Sequence, residues 1–308
     1  MKASKWLSLF LAVCLFVGSS VLCLAEASDE KPFMVGVLTA ANMDEQTYGE
    51  NMNRCYEKYR QISEKKGGAN MPKRLEFKFF DTLNTLLLAL YSGKINAISI
   101  NRFTGQYIIG QDETIKESET VNFTMPRCAY SMMFMKKDEE LCKKFSGVIE
   151  YLKNSGQMDT LVQQHIIPYL NGGNPEPAEL PHFDDAETIT VAVTGDLPPL
   201  DFATADGKPA GFNVALLSEI SNQLHINIKL LQVETGARAM MLSTGKCDAV
   251  FWTSTPTTDT AAEAENVDPD EKELGDMMVK LFYDYDRPEG TVFTTPYLID
   301  SEVMLVKG

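Results

Sequence analysis

The chain has 308 residues, with 43 acidic against 28 basic side chains and a formal net charge of −15 at pH 7. This charge excludes nucleic acid as an expected partner, because a phosphate backbone repels an acidic surface. The length allows about two domains with hydrophobic cores of their own.

The first residues predict an export signal. Lys2 and Lys5 precede an apolar run from Trp6 to Leu24, and Ala25-Glu26-Ala27 offers small residues at a cleavage site. We therefore predict a signal peptide over residues 1–27 and a soluble mature protein in the periplasm or outside the cell. A single membrane-spanning helix is the alternative interpretation of the same run.

The first half of the remaining chain alternates between strand-like and helical patterns. The strand-like stretches are Met34–Leu38, Leu75–Phe80, Ile95–Ile100 and Ser131–Met135. Such alternation predicts a parallel-sheet α/β lobe, here residues 33–170. Two helices close it, one between Asp138 and Gly156 and the other carrying Met158, Leu161, Val162, His165 and Ile166.

A run of turn-forming residues then interrupts every periodic pattern. It reads Asn171-Gly172-Gly173-Asn174-Pro175-Glu176-Pro177, and we predict a linker over 171–187. A second lobe follows over 188–308, with strands at Thr190–Val193, Ile226–Val233 and Asp248–Trp252 and a helix over Phe212–Leu224. Within it, residues 257–290 are rich in acidic side chains and predict a solvated surface insertion.

Four cysteines remain after the predicted signal peptide, namely Cys55, Cys128, Cys142 and Cys247. Their wide spacing, without a C-x-x-C pair, does not favour zinc. Disulfides and buried thiols are both compatible with this pattern in an exported protein. The three histidines lie away from any nucleophile, so we expect no catalysis, no cofactor and no metal.

Several motifs of the second half occur in an order that is typical of one family. They are Gly195-Asp196-Leu197-Pro198-Pro199-Leu200, Gly211-Phe212-Asn213-Val214, Gly245-Lys246-Cys247-Asp248-Ala249-Val250 and Thr295-Pro296-Tyr297. The second half thereby resembles the first lobe of the family 3 extracellular solute-binding proteins, of the amino-acid-receptor type.

The first half resembles the family's second lobe together with its C-terminal helices. Gly93-Lys94-Ile95-Asn96-Ala97-Ile98, Ala129-Tyr130-Ser131-Met132-Met133 and the helix from Leu141 to Gly156 support this. The chain therefore looks like a circular permutant, with the family's second lobe first and its first lobe last. Two tandem copies of one lobe are the alternative interpretation.

The resemblance implies two α/β lobes of the periplasmic-binding-protein (type II) kind with a cleft between them. Ligands of such folds lie beyond the carboxyl ends of the strands. The expected function is delivery of a small polar molecule to an ABC-type membrane transporter by closure of the cleft, by a monomer with a transporter permease as partner.

Two positions depart from the family's amino-acid receptors. The arginine that binds the α-carboxylate is replaced by Thr258 in Thr255-Pro256-Thr257-Thr258, and the aspartate that binds the amino group is replaced by Asn101. An ordinary α-amino acid is therefore not the expected ligand.

The predicted ligand contacts come from both lobes. Trp252 would form an aromatic wall, followed by the hydroxyls of Thr253 and Ser254; the alternative places Trp252 in the core. Arg238 and Arg102 could bind an anion, and the alternative for each is a surface salt bridge.

Three polar residues complete the predicted site. Asn101 and Thr39 follow strands of the first lobe, and Asp196 follows a strand of the second. Asp196 could contact the ligand or cap the Pro-Pro turn. Two other functions stay open: a ligand-free sensory or interaction module, and a dehydratase-like enzyme, for which Asp196 is the one candidate acid.

Overall fold

The computed structural model describes residues 31–39, 43–68, 71–119, 121, 127–170, 172–173, 178–256, 268–282 and 289–308. The predicted signal peptide and Thr258 lie outside the described residues, as do parts of the predicted linker and of the acidic segment. Pro32–Gly308 form one compact unit. No described helix is long and apolar enough to cross a membrane.

Sheet A has five strands in the order β2 (Leu75–Phe80), β1 (Phe33–Leu38), β3 (Ala97–Asn101), β14 (Glu302–Lys307) and β4 (Ile115–Glu117). The first three are mutually parallel, and β14 runs antiparallel between β3 and β4. All five residues of β3 are buried, as expected for a central strand with both faces covered.

Three helices accompany sheet A, and together they form lobe A: α1 (Glu45–Lys65), α2 (Leu83–Tyr91) and α3 (Arg102–Gln111). Each begins after a side chain that accepts a hydrogen bond from the first turn. Asp44 accepts from Thr47 N at 2.9 Å, and Thr82 accepts from Thr85 N at 3.2 Å. These caps satisfy amide groups that have no partner within a helix.

Sheet B is the framework of lobe B. Its order is β10 (Asn227–Gln232), β6 (Thr188–Val193), β11 (Ala249–Pro256), β5 (Cys128–Met135) and β12 (Thr291–Phe293), and β13 (Leu298–Asp300) also pairs with β5. A small sheet of β7 (Asp196–Leu197), β8 (Asp201–Ala203) and β9 (Pro209–Ala210) precedes helix α7 (Phe212–Leu224). Helix α8 (Arg238–Ser243) leads into β11. The predicted α/β class with two lobes is confirmed.

Each sheet includes one antiparallel strand from the other half of the chain. β14, from the end of the chain, lies in sheet A, whereas β5, which precedes the predicted linker, lies in sheet B. The chain therefore passes between the lobes before β5 and again between β13 and β14. The predicted division at 171–187 assigned both strands to the opposite lobe, because apolar alternation identifies a strand but not the sheet that it joins.

The helices before the predicted linker belong with lobe B as well. They are α4 (Glu139–Asn154), α5 (Gln157–His165) and α6 (Ile167–Leu170), and both α4 and α5 pack against α7. The predicted first lobe, residues 33–170, included these helices, whereas the structure packs them on lobe B.

The acidic segment differs from its prediction as a solvated insertion. Its described part contains helix α9 (Pro269–Phe282), which lies against α1 of lobe A. Leu274 and Met278 are buried there, with 6% and 1% of their surface exposed. The acidic composition of the segment did not indicate this apolar helix face. The prediction of a solvated insertion is therefore wrong for this helix.

The four cysteines of the predicted mature chain are free thiols. All four lie in the described residues, all are buried, and no disulfide joins them. Burial raises the pKa of Cys55 to about 12 and those of Cys142 and Cys247 to about 11, so these thiols stay protonated at neutral pH.

Candidate functional site

A cavity of about 100 Å³ lies between the two lobes, at the carboxyl ends of the parallel strands. β1 and β3 of lobe A contribute Thr39 and Asn101, and lobe B contributes Arg238, Trp252 and Ser254. Five of the eight predicted ligand contacts therefore line one cavity. Its volume is below the usual 300–1,000 Å³ of a ligand pocket and equals about three water molecules.

Trp252 lies at an irregularity of the central strand β11. The pairing of β11 with β5 shifts register between Val250 and Thr253, and Trp252 has a φ of 63°. A bulky residue in this left-handed region is strained, and such strain is concentrated at functional sites. The indole stacks on the ring of Tyr130, with centroids 3.7 Å apart and an angle of 13° between the planes.

Arg238 stabilises this irregular backbone. Its Nη1 donates to the carbonyl oxygens of Phe251 at 3.0 Å and Trp252 at 2.6 Å, and its Nε donates to the carbonyl of Thr235 at 3.2 Å. Only 5% of Arg238 is exposed, so the alternative of a surface salt bridge is wrong. The guanidinium both lines the cavity and shapes its wall.

Arg102 lies elsewhere. Its Nη1 pairs with Glu117 at 3.1 Å and its Nε donates to Ser301 Oγ at 3.0 Å. The side chains of Arg102 and Glu117 are each 40% exposed. Arg102 is absent from the cavity lining, and the geometry matches the surface salt bridge that was the alternative.

Asn101 is engaged with its own helix. Its Oδ1 accepts from Thr104 N at 2.9 Å and caps α3. The family's aspartate is thus replaced by a capping residue, whose amide still borders the cavity. The Thr39 hydroxyl, also in the lining, donates to Asp81 at 2.8 Å.

Asp196 joins the two lobes. Its Oδ2 accepts from the backbone N of Leu83, the first residue of α2 in lobe A, at 2.9 Å. Burial raises the pKa of the Asp196 carboxyl, while this bond and the nearby Arg238 lower it. Asp196 is not part of the cavity lining, and neither is Thr253, which is 1% exposed.

Glu302 is the principal cavity residue that the sequence reasoning missed. It opens β14, and Ser99 Oγ donates to its carboxylate at 2.7 Å. Burial raises the pKa of the Glu302 carboxyl, and the bond from Ser99 opposes that rise. The available signal was an acid at the start of the apolar strand Val303–Val306.

Thr235 is a second missed residue. It lines the cavity with 7% of its surface exposed, and its hydroxyl has no hydrogen-bond partner among the described residues. A buried hydroxyl without a partner is costly, and a bound polar group would satisfy it. No cluster of three or more His, Cys, Asp or Glu side chains in the described part of the chain could hold a metal ion.

Most of lobe B's parallel framework, from β6 to the start of α9, corresponds to one known family. Residues 189–274 match the bacterial extracellular solute-binding proteins, family 3. This match confirms the family resemblance that the motifs of the second half predict.

Solved structures also resemble the chain. A ligand-binding component of an ABC-type import system from Staphylococcus aureus, with zinc bound, is 13% identical at a TM-score of 0.41, covering 91% of this chain and 67% of that one. The GluR0 ligand-binding core from Nostoc punctiforme, in complex with L-glutamate, is 13% identical at a TM-score of 0.36, covering 90% and 85%. No curated protein matches the chain.

Proposed function

We propose that this chain is an extracytoplasmic solute-binding protein that delivers a small polar molecule to an ABC-type transporter by closure of its cleft. The observation that supports the proposal most directly is the cavity itself. Polar side chains from both lobes meet there at the strand ends, so a solute in the cavity would contact both lobes at once and favour the closed arrangement.

The volume of the cavity limits the size of the solute that fits between the lobes as they stand. At about 100 Å³ the cavity accommodates a solute of only a few heavy atoms. Its walls are the strand ends themselves, and the Trp252 and Tyr130 rings lie against each other. A solute larger than this volume would therefore bind only if the lobes separated and then closed around it.

The enzyme alternative has less support than the receptor. Asp196, its one candidate acid, accepts a backbone hydrogen bond from lobe A and lies outside the cavity lining. The ligand-free interaction module is tested by the same screen as the receptor, because it would bind none of the solutes.

A thermal-shift screen tests the proposal. The panel contains amino acids, dipeptides, amines, organic acids and sugars, and a true ligand raises the melting temperature of the folded chain by mass action. No shift with any compound would refute the receptor function. Turnover of a hit would favour an enzyme instead.

Trp252→Ala decides whether the cavity is the site. We expect this variant to lose the ligand-induced shift, measured against its own ligand-free melting temperature. Phe145→Ala is the matched control, since Phe145 is fully buried on α4 and outside the cavity lining. It should lose stability but keep the shift. Unchanged affinity in Trp252→Ala would place the site elsewhere.

Export is tested on the full chain. Expressed in a bacterium with an outer membrane, it should appear in the periplasmic fraction with a mass that starts near Ser28. A chain that retains residues 1–27 in the membrane fraction would instead support the membrane-anchored alternative.

A further inference from the structure

Glu302 has an unusual environment for an acidic residue. Its carboxylate lines the cavity between the lobes, and the Ser99 hydroxyl donates to it. Among the described residues it forms no ion pair, and the nearby Arg238 donates to three carbonyl oxygens instead. A carboxylate that loses water without gaining a cation is costly.

The surroundings of Glu302 suit an organic cation. The rings of Tyr48, Tyr130 and Trp252 line the same cavity, and aromatic rings attract cations through their electron-rich faces. The unpartnered hydroxyl of Thr235 adds an acceptor for an N–H group. Carboxylate, aromatic rings and hydroxyl together recognise an ammonium group.

We propose that Glu302 forms an ammonium subsite and that the solute is a small organic amine. This inference rests on the proposed solute-binding function and specifies the charge of its ligand. The carboxylate comes from β14, the strand that follows the crossing into lobe A, so it differs in position from Asn101, where the family's receptors hold their aspartate.

Matched pairs of small solutes test the ammonium subsite in the unmodified protein. Ethanolamine is compared with ethylene glycol, and propylamine with propanol, by thermal shift and calorimetry. The amine of each pair should bind and the alcohol should not. Glu302→Gln, which keeps the size and removes the charge, should weaken amine binding at least about tenfold.

The outcomes separate the two proposals. If alcohols bind as well as amines, or if only compounds without an ammonium group are hits in the broader panel, the amine inference is wrong and the receptor function stands. If nothing binds, both fail. The comparison in the unmodified protein decides the question even if Glu302→Gln does not fold.

A second, independent observation concerns helix α9. The strands that flank it, β11 and β12, belong to sheet B, yet the helix lies on α1 of lobe A. Leu274 and Met278 join the apolar cluster of Val35, Met52 and Phe77, all in lobe A. The helix thus connects lobe B to the outer face of lobe A.

Charged pairs surround this apolar contact. Lys58 Nζ lies 3.1 Å from Asp270 and 2.6 Å from Glu273, and Lys65 Nζ lies 2.7 Å from Asp270. Lys66 adds pairs with Glu271 at 2.7 Å and Asp268 at 3.4 Å. Isolated surface pairs contribute little, but a network around a buried apolar contact determines where the helix binds.

We infer that α9 is a clasp that holds the two lobes together and opposes opening of the cleft. The helix also contacts β11 of lobe B, so separation of the lobes would break either this contact or the apolar contact and lysine–carboxylate network with lobe A. The inference requires the lobe motion of the proposed function, but its test requires no ligand.

A distance measurement between spin labels tests the clasp. Labels are attached through Leu88→Cys in lobe A and Met240→Cys in lobe B, since these two side chains are 66% and 56% exposed. Lys58→Glu with Lys65→Glu should shift the population to longer distances. Adding Asp270→Lys and Glu273→Lys should restore the original distribution.

Lys94→Glu with Lys246→Glu is the matched control, because both lysines are exposed and distant from α9 in the chain, and the net charge changes equally. This control should leave the distances unchanged. Leu274→Ala with Met278→Ala should lengthen them through the apolar contact alone. Unchanged distances in both clasp variants, with folding confirmed by circular dichroism, would overturn the inference.

Discussion

Asp300 lies where the chain crosses between the lobes, and its carboxyl makes the stability of the fold depend on pH. It ends β13, just before the chain enters sheet A, and it is 5% exposed. Its Oδ2 accepts from Phe103 N at 3.1 Å and its Oδ1 from Ser301 N at 2.7 Å. Burial outweighs these bonds and raises the pKa of the carboxyl to about 6.

The sign of the resulting pH dependence follows from the raised pKa. The folded protein binds the Asp300 proton more tightly than the unfolded chain, so this group stabilises the fold fully below pH 3.8. The contribution disappears as the pH rises through about 6. The shift corresponds to at most about 3 kcal/mol.

Asp300→Asn should remove this dependence. We expect the stability difference between the unmodified protein and the variant to fall between pH 4.5 and pH 7.5, measured by urea unfolding at both pH values. The other titrating groups are common to the two proteins and cancel in the difference. Parallel pH profiles would show that Asp300 does not titrate in this range.

At the scale of single elements, the start of α7 depends on one glycine. Gly211 precedes the helix with a φ of 104°, and an added Cβ would lie 2.7 Å from the carbonyl oxygen of Leu200 and 2.8 Å from that of Pro199. Backbone atoms cannot move aside as a flexible side chain can. The motif that predicts the family thus includes a residue that the turn requires.

Gly211→Ala should destabilise the fold by at least about 2 kcal/mol in urea unfolding, from strain and from the clash with two carbonyls. Gly147→Ala is the control. Gly147 is an exposed residue within α4 with open space around its Cα, so alanine should stabilise the protein by up to about 1 kcal/mol. Equal effects of the two substitutions would contradict the steric explanation.

At the scale of the whole molecule, the two ends of the described fold lie close together. Ala97 of β3 pairs with Val35 near the start of β1 and with Val306 near the end of β14. The two outer strands are therefore about 10 Å apart at this end of sheet A. The predicted permuted order of the lobes is compatible with this proximity.

A circularly permuted chain tests whether the two ends of the described fold lie close together. It begins at Ala178, runs to Gly308, continues through five Gly and Ser residues to Pro32 and ends at Leu170. We expect it to fold with a melting temperature within about 5 °C of the original, because the linker spans the gap without strain. Opening the chain inside β5, between Met132 and Met133, should prevent folding, and equal behaviour of both chains would contradict this topology.

The sequence by itself predicts the local elements and the fold class. Leu75–Phe80 and Phe212–Leu224 have the predicted bounds, because apolar periodicity and glycine turns act over a few residues. The motifs of the second half also predict the solute-binding family whose model matches residues 189–274. The sequence predicts Trp252 and Asn101 at the cleft because residues at the ends of parallel strands meet at one edge of a sheet.

Only the tertiary structure decides the partners that are distant in the chain. Ser99 meets Glu302 and Lys58 meets Asp270 across more than 200 residues. Strand alternation could not assign β5 and β14 to sheets, and acidic composition concealed the apolar face of α9. Local sequence patterns indicate which face of an element is buried, but they do not indicate which distant segment covers it. The packing of the whole chain determines that partner.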